Sequence, residues 1–92
     1  MTGNQDGVVV YWRPMCPYCA KLFLTLRLTR VRHTRVNIWR DPDAAAFVRS
    51  VAGGNETVPT VTVAGRPLVN PSKRELVAAV TAHAPHALPA GR

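Results

Sequence analysis

The sequence has few cysteines, few acidic residues and no long hydrophobic run. Of its 92 residues, two are cysteine and five are aspartate or glutamate. Two cysteines are far too few to form the disulfide framework of a small secreted protein. No apolar run approaches the roughly 20 residues that a membrane-spanning helix needs. Residues 1–7 show neither the basic nor the apolar segment of a secretory signal, so we expect a cytoplasmic protein with no membrane partner.

Positive charge is in excess, since twelve lysines and arginines against five acids give a net charge of +7. This charge predicts attraction to acidic partners that weakens as salt is added. A cluster of arginines also suggests nucleic-acid binding as an alternative interpretation. Such a run is usually a solvated face, and an arginine-rich, lysine-poor composition is typical of GC-rich genomes as well. We therefore expect no nucleic-acid partner. The clustered arginines are Arg27, Arg30, Arg32, Arg35 and Arg40.

Length and composition predict one globular domain. The sequence is 47% apolar and 18% charged, which is ordinary for a folded protein, and this length suffices for one modest hydrophobic core. We predict a folded domain over residues 8–84, with a flexible N-terminus at 1–7. A flexible C-terminal tail is predicted at 85–92, because its two prolines and low apolar content favour fraying. We expect the chain to be a monomer.

Hydrophobic periodicity predicts four strands and three helices. The last strand is predicted at a sheet edge, because Pro67 cannot donate a backbone hydrogen bond. Asp41 is the predicted N-cap of the second helix, and either Asn70 or Ser72 caps the third. The strands are predicted at 8–12, 35–39, 60–64 and 67–69, and the helices from 16 or 17 to about 30, from 42 to 52 and from about 72 to 84.

The predicted element order βαβαββα indicates an α/β fold. The first strand, helix and second strand form a βαβ unit, whose crossover is almost always right-handed and whose strands are parallel. The third and fourth strands follow each other closely enough for a hairpin. We therefore predict a four-stranded mixed sheet with three helices on its two faces.

The first helix carries an apolar stripe and two leucines outside it. Cys19, Leu22, Phe23 and Leu26 follow the i, i+3, i+4, i+7 spacing of one helix face. Two further leucines, at positions 24 and 28, lie off this stripe. They either meet a neighbouring helix or form an exposed apolar patch, and the sequence leaves both possibilities open.

The two cysteines form a C-x-x-C pair at the predicted start of this helix. In a cytosolic chain this pattern behind a strand indicates a redox pair first and half of a metal site second. A zinc or iron–sulfur site shared between two chains is the metal alternative, but no second C-x-x-C completes a four-thiolate set. We expect no bound metal.

Position along the helix assigns different roles to the two thiols. A helix N-terminus favours the thiolate, and the sulfur of Cys16 can accept from the N–H groups of Tyr18 and Cys19. Arg13 and Lys21 add positive charge nearby. Cys19 lies one turn deeper, where burial raises a thiol pKa. We predict Cys16 as the exposed nucleophile and Cys19 as the buried resolving thiol.

Two segments resemble the glutaredoxins of the thioredoxin superfamily. Residues 12–19 read W-R-P-M-C-P-Y-C, and residues 57–61 read T-V-P-T-V. The resemblance implies a thioredoxin/glutaredoxin-like fold, in which Pro59 is cis and lies opposite the nucleophile. It also implies that the backbone of Val58 pairs with substrate like an added strand.

Three further segments are similar to the mycoredoxins, which are glutaredoxin-like bacterial proteins that use mycothiol. They are residues 43–51, 53–61 and 70–72, whereas residues 69–72 lack the Gly-Gly and acidic residues that grip glutathione in other glutaredoxins. The resemblance implies that Cys16 reduces mixed disulfides between proteins and mycothiol. Residues predicted to bind the small thiol or substrate are Arg13, Pro17, Tyr18, Thr57, Val58, Pro59 and Asn70.

The resemblance also implies the partners. Mycothiol is the expected reducing co-substrate, and a separate mycothione reductase recycles it with NADPH; the chain itself has no G-x-G-x-x-G motif and is expected to hold no cofactor. One alternative is a glutaredoxin-like hydrogen donor to ribonucleotide reductase, recycled by thioredoxin reductase. That group usually carries W-S-G-F-R-P before the last helix, which residues 65–68 do not reproduce.

Overall fold

Four strands form one mixed sheet in the order β2-β1-β3-β4 in the computed structural model, which describes residues 7–89. The central strand β1 pairs in parallel with β2 and antiparallel with β3, so that Val10 lies between Arg35 and Val61. Strands β3 and β4 form the predicted hairpin, and β4 is an edge strand as expected. The strands are β1 Val8–Trp12, β2 Thr34–Asn37, β3 Thr60–Val63 and β4 Arg66–Val69.

Three helices complete the predicted βαβαββα order, and each begins at a side-chain cap. The helices are α1 Pro17–Thr29, α2 Pro42–Val51 and α3 Lys73–His83. Asp41 accepts from the N–H of Ala44 over 3.1 Å, as predicted for the α2 cap. Ser72, and not Asn70, caps α3, because its hydroxyl accepts from the N–H of Glu75 while the Glu75 carboxylate accepts from the N–H of Ser72. This reciprocal pair satisfies two N–H groups that a helix start otherwise leaves unpaired.

The helices cover both faces of the sheet. On one face Leu26 of α1 and Leu76 of α3 are buried in the same cluster as Val10. On the other face α2 packs through Phe47 against Tyr11, with ring centroids 5.0 Å apart. The alternation of side chains along β1 therefore explains the layers, since neighbouring residues of a strand point to opposite faces. The predicted fold class is confirmed.

The second strand differs from its predicted bounds. It ends at Asn37, two residues early, and the Asn37 side chain accepts from the N–H of Trp39 in the turn that follows. Ile38, the first residue after the strand, is buried, whereas Trp39 is exposed. A side chain that bonds the backbone two residues on competes with the sheet ladder and ends the strand.

The open question about the two off-stripe leucines has a definite answer. Leu24 is 55% exposed and Leu28 is 71% exposed. Because α1 packs on the sheet with its opposite side, both leucines lie on the solvent side, whereas the stripe residues Leu22 and Leu26 are buried.

Part of the segment expected to fray is instead packed on the domain. Pro85–Ala87 forms a 3₁₀ turn, and the carbonyl of Ala87 accepts from the N–H of Arg32 over 2.8 Å. The Ala87 side chain is buried among the core residues. Residues 1–6 and 90–92 lie outside the described part of the chain. Within residues 7–89, no helix is both long enough and apolar enough to cross a bilayer.

Candidate active site

Cys16 is the N-cap of α1, and its sulfur is held by the helix itself. Its backbone is extended, with φ −117° and ψ 105°, and Pro17 follows at the first helical position. The Sγ atom accepts from the N–H of Cys19 over 3.2 Å. Of the two N–H groups predicted to donate, the bond from Cys19 is the one present. The sulfur therefore replaces the oxygen of an ordinary capping residue at the positive end of the helix dipole.

A loop from the far half of the chain lies across this sulfur. The Cys16 thiol donates to the carbonyl of Val58 over 3.8 Å, and the Val58–Pro59 peptide bond is cis, as the resemblance implied. The loop is tied at both sides, because Thr60 donates to the carbonyl of Thr57 and the N–H of Asn70 donates to the carbonyl of Pro59, each over 2.8 Å. Cys16 and Val58 are thereby brought together across 42 positions of sequence.

The structure corrects the prediction that Cys16 is exposed. The residue is only 8% exposed, against 2% for Cys19, and both are free thiols. The residues that do reach solvent beside it are Met15, Pro17 and Tyr18. Met15 adopts a left-handed backbone with φ 61°, a costly conformation for a residue with a side chain. Little of the Cys16 residue is therefore open to reagents.

Cys19 is held in its protonated form, as predicted. Burial is the largest cause that raises its pKa from 9.0 to about 11, and its hydrogen bond to the Cys16 sulfur also raises it. The backbone N–H and the charge of Arg13 act in the opposite direction but are outweighed. Because the thiolate is the nucleophile, Cys19 is the less reactive of the two thiols at neutral pH.

Two clefts flank Cys16, and they divide the predicted site residues between them. One cleft of about 450 Å³ is lined by Cys16 itself together with Arg13 and Pro17. The other, of about 360 Å³, lies between α1 and the start of α3 and brings together Tyr18, Pro59 and Asn70. Thr57 and Val58 belong to the loop between the clefts. The second cleft is here named the α1–α3 groove.

The Arg13 side chain, predicted to bind the small thiol or substrate, contacts other residues of the chain. Its guanidinium donates to the carbonyl of Pro14 over 3.1 Å and lies 5.8 Å from the centre of the Trp39 ring. Arg13 therefore braces the turn that carries Met15 and forms the rim of the first cleft. Tyr11, in the strand that precedes this turn, packs on Phe47 of α2.

Sequence reasoning missed several residues that shape the two clefts. Trp12 lines the Cys16 cleft, and its indole N–H is buried without a hydrogen-bond partner among residues 7–89. Lys73 and Thr25 line the α1–α3 groove. No local pattern distinguishes these residues, because their positions depend on how α1 and α3 pack. In the described part of the chain, no three histidine, cysteine or acidic side chains lie close enough to hold a metal ion.

Comparisons with known sequences agree with this geometry. The family model for glutaredoxin matches residues 8–68. Mycoredoxin 1 of Corynebacterium glutamicum is 33% identical over 79 residues, which cover 85% of this chain and 98% of that protein. A Mycobacterium tuberculosis protein with a provisional glutaredoxin name is 43% identical over 73 residues, which cover 78% of this chain and 87% of that protein.

Solved structures share the fold at low sequence identity. The buckwheat glutaredoxin–glutathione complex matches with a TM-score of 0.73 and 20% identity, covering 94% of this chain and 84% of that chain. The glutaredoxin of Archaeoglobus fulgidus matches with a TM-score of 0.70 and 19% identity, covering 82% and 86% of the two chains.

The fold and the C-x-x-C pair define an oxidoreductase of the thioredoxin-like class. Since the family model spans residues 8–68 and relatives above 30% identity extend over most of the chain, the chain belongs to the glutaredoxin family.

Proposed function

We propose that this glutaredoxin reduces mixed disulfides between proteins and mycothiol, with Cys16 as the nucleophile. The observation that carries the proposal is the Cys16 sulfur at the N-cap of α1, where it accepts from the Cys19 N–H at the positive end of the helix dipole. A cytoplasmic setting is part of the proposal, because thiols in that compartment are kept reduced.

The first step exchanges one disulfide for another. The Cys16 thiolate attacks the mycothiol sulfur of the mixed disulfide, so that a Cys16–mycothiol bond forms while the protein–mycothiol bond breaks. The protein sulfur leaves as a thiolate and takes a proton from solvent. Attack at the sulfur of the small thiol releases the repaired protein directly and leaves Cys16 carrying mycothiol.

The second step regenerates Cys16. A second mycothiol thiolate attacks the mycothiol sulfur bound to Cys16, which releases the Cys16 thiolate and the oxidised dimer of mycothiol. Alternatively, Cys19 loses its proton and attacks the Cys16 sulfur, which releases mycothiol and leaves a Cys16–Cys19 disulfide. Two further mycothiol molecules then reduce that disulfide and leave as the oxidised dimer. The raised pKa of Cys19 disfavours this second route at neutral pH. NADPH and mycothione reductase supply the two electrons that return the dimer to mycothiol.

Two observations favour mycothiol over glutathione as the co-substrate. Mycoredoxin 1 of Corynebacterium glutamicum is similar to this chain over 98% of the mycoredoxin's own length. In addition, the loop before α3 reads Val69-Asn70-Pro71-Ser72 and carries no carboxylate to bind the amino group of glutathione. The α1–α3 groove is lined by the hydroxyl and amide side chains of Tyr18, Asn70 and Ser72, which suit the hydroxyl-rich part of mycothiol. Its charged side chains are Lys21, Lys73 and Glu75, and the Glu75 carboxylate already accepts from the N–H of Ser72.

A coupled NADPH assay tests the proposal. One small thiol compound is offered as its mixed disulfide with mycothiol and, separately, with glutathione, each with the matching reduced thiol and reductase. We expect NADPH oxidation with the mycothiol system and a much slower rate with the glutathione system. Cys16→Ser is the control, and it should abolish turnover because the attacking sulfur is gone.

Two results of such assays contradict the proposal. If NADPH is oxidised at the full rate when thioredoxin reductase is supplied alone, without mycothiol, the chain is a dithiol hydrogen donor instead. Equal rates with glutathione and mycothiol contradict the choice of co-substrate while leaving the exchange chemistry intact.

A further inference from the structure

Two neighbouring clefts lie along the side of α1 that faces strand β2. The cleft that contains Cys16 ends at Phe23. A larger cleft of about 580 Å³ begins at the same Phe23 and continues past Leu24 to the loop between α1 and β2. Phe23 lines both clefts, so the larger cleft lies next to the one that contains the reactive sulfur. We name the larger cleft the arginine groove.

Four arginines line the arginine groove, and no acidic side chain does. Arg27, Arg30, Arg32 and Arg35 are all exposed. Within residues 7–89 the only ion pair joins Arg49 to Glu56, away from this groove. The negative end of the α1 dipole partly offsets the first two arginines, which lie in and just after the last turn of α1. The other two lie beyond the helix, so the groove keeps an excess of positive charge that favours an anionic ligand.

The same groove has an apolar component. The Arg35 guanidinium lies 3.9 Å from the centre of the Phe23 ring and covers its face. Leu24 lines the groove and is exposed, and Leu28 continues the apolar surface one turn further along α1. Arginine combined with exposed apolar side chains is typical of protein interfaces. A nucleic acid is favoured less, because the one aromatic face in the groove is already covered by Arg35 and cannot stack on a base.

We propose that the arginine groove docks an acidic, partly apolar segment of the protein whose disulfide reacts at Cys16. This inference rests on the proposed function, because the docked segment belongs to the protein whose mixed disulfide Cys16 reduces. Along α1, Arg27 and Arg30 lie about 17 and 21 Å from Cys16, at 1.5 Å per residue. An extended peptide covers that distance in about five or six residues. The preferred substrates therefore carry acidic residues about five or six positions from the reactive cysteine, or at the same distance on a folded surface.

The placement leaves room for the small thiol at the same time. The α1–α3 groove uses Tyr18, Lys21 and Thr25, which lie on the side of α1 turned toward α3. The arginine groove uses Phe23, Leu24 and Arg27, which the period of 3.6 residues places on the opposite side of the helix. A docked protein and an incoming thiol thus approach Cys16 from different sides.

Direct binding tests the docking surface without depending on catalysis. The reduced full chain is titrated calorimetrically with a short cysteine-free peptide that contains glutamate and leucine, and with the same peptide in which every glutamate is glutamine. We expect the acidic peptide to bind at least about tenfold more tightly at low salt and to lose this advantage as salt screens the charges. Arg27→Gln combined with Arg32→Gln should remove most of the difference.

A matched variant separates the groove from net charge. Arg66→Gln combined with Arg74→Gln removes the same charge from exposed positions on β4 and α3, near the opposite edge of the sheet. This control should bind the acidic peptide like the wild type. Equal binding of the two peptides, or an equal loss in the control, overturns the proposal. Tighter binding of a single-stranded oligonucleotide of the same charge, lost in the groove variant, also overturns it in favour of a nucleic-acid partner.

The coupled assay distinguishes failure of this inference from failure of the proposed function. Reduction of the small mycothiol disulfide involves no docked segment, so it reports on the chemistry alone. If the small disulfide is not reduced but the acidic peptide still binds selectively, the proposed reaction is contradicted and the docking surface is not. Normal reduction without selective binding contradicts the docking surface alone.

Discussion

The backbone N–H of Cys19 points at the sulfur of Cys16 across 3.2 Å, while the Cys19 thiol itself is buried and protonated. Cys19 thus donates a backbone hydrogen bond to the Cys16 sulfur, while its own thiol stays protonated. The functions of the two cysteines are separable by mutation, because a change of the Cys19 side chain leaves its N–H in place.

Replacement of the second thiol tests that separation. We predict that Cys19→Ser keeps reduction of small mycothiol mixed disulfides within about threefold of the wild type, a change of less than about 0.7 kcal/mol in activation free energy. The reason is that Cys16 and its N–H donor are both retained. The measurement is the initial rate in the coupled NADPH assay. Loss of this activity, with the wild type still reducing ordinary protein disulfides, contradicts the route through mycothiol alone.

Alkylation at different pH values tests the protonation of the two thiols. Because burial raises the pKa of Cys19 to about 11, we expect iodoacetamide at pH 8 to modify a single cysteine, Cys16. Modification of Cys19 should become comparable only as the pH approaches about 11, since the thiolate is the reactive form. Mass spectrometry of digested protein locates each adduct. Equal modification of both cysteines at pH 8 is the contrary result.

The same raised pKa makes stability depend on pH. The unfolded chain releases the Cys19 proton near its ordinary pKa of 9.0, whereas the folded chain holds it until about 11. This contribution to the free energy of unfolding is therefore fully present below pH 9 and is lost as the pH rises toward 11. Under reducing conditions, Cys19→Ala should show a shallower decline than the wild type over this range in denaturant titrations. Parallel curves contradict the prediction.

Two leucines of α1 provide a matched test of packing. Leu26 is 1% exposed and Leu28 is 71% exposed, although they lie two residues apart. We predict that Leu26→Ala lowers the free energy of unfolding by about 2–5 kcal/mol, because it leaves a cavity in the core. Leu28→Ala should change it by less than about 0.5 kcal/mol. Urea unfolding followed by circular dichroism measures both. Similar values for the two variants would falsify the assignment of the buried face of α1.

Much of the architecture was predictable because its determinants are local. The β-branched and aromatic run 8–12 favours an extended chain, Pro17 suits a first helical turn, and Asp41 carries a cap in its own side chain. The C-x-x-C pair at a helix start likewise assigns the shallower and the deeper thiol from spacing alone. Each of these signals acts within a few residues, so no knowledge of distant contacts is needed to interpret it.

Other features are set by contacts that no local pattern contains. The low exposure of Cys16 depends on its contact with Val58, 42 positions further along the chain. The contact of Arg35 with Phe23 joins an edge strand to a helix. Composition could reveal the excess of arginine but not its concentration in one groove that begins at Phe23. Residue type and spacing alone were enough to indicate the order of elements and the redox pair. The loop at residues 57–60 covered Cys16, and the packing of α1 on the sheet decided which leucines reach solvent and where the arginines lie together. The physical reason is that burial and distance depend on contacts between remote segments of the chain.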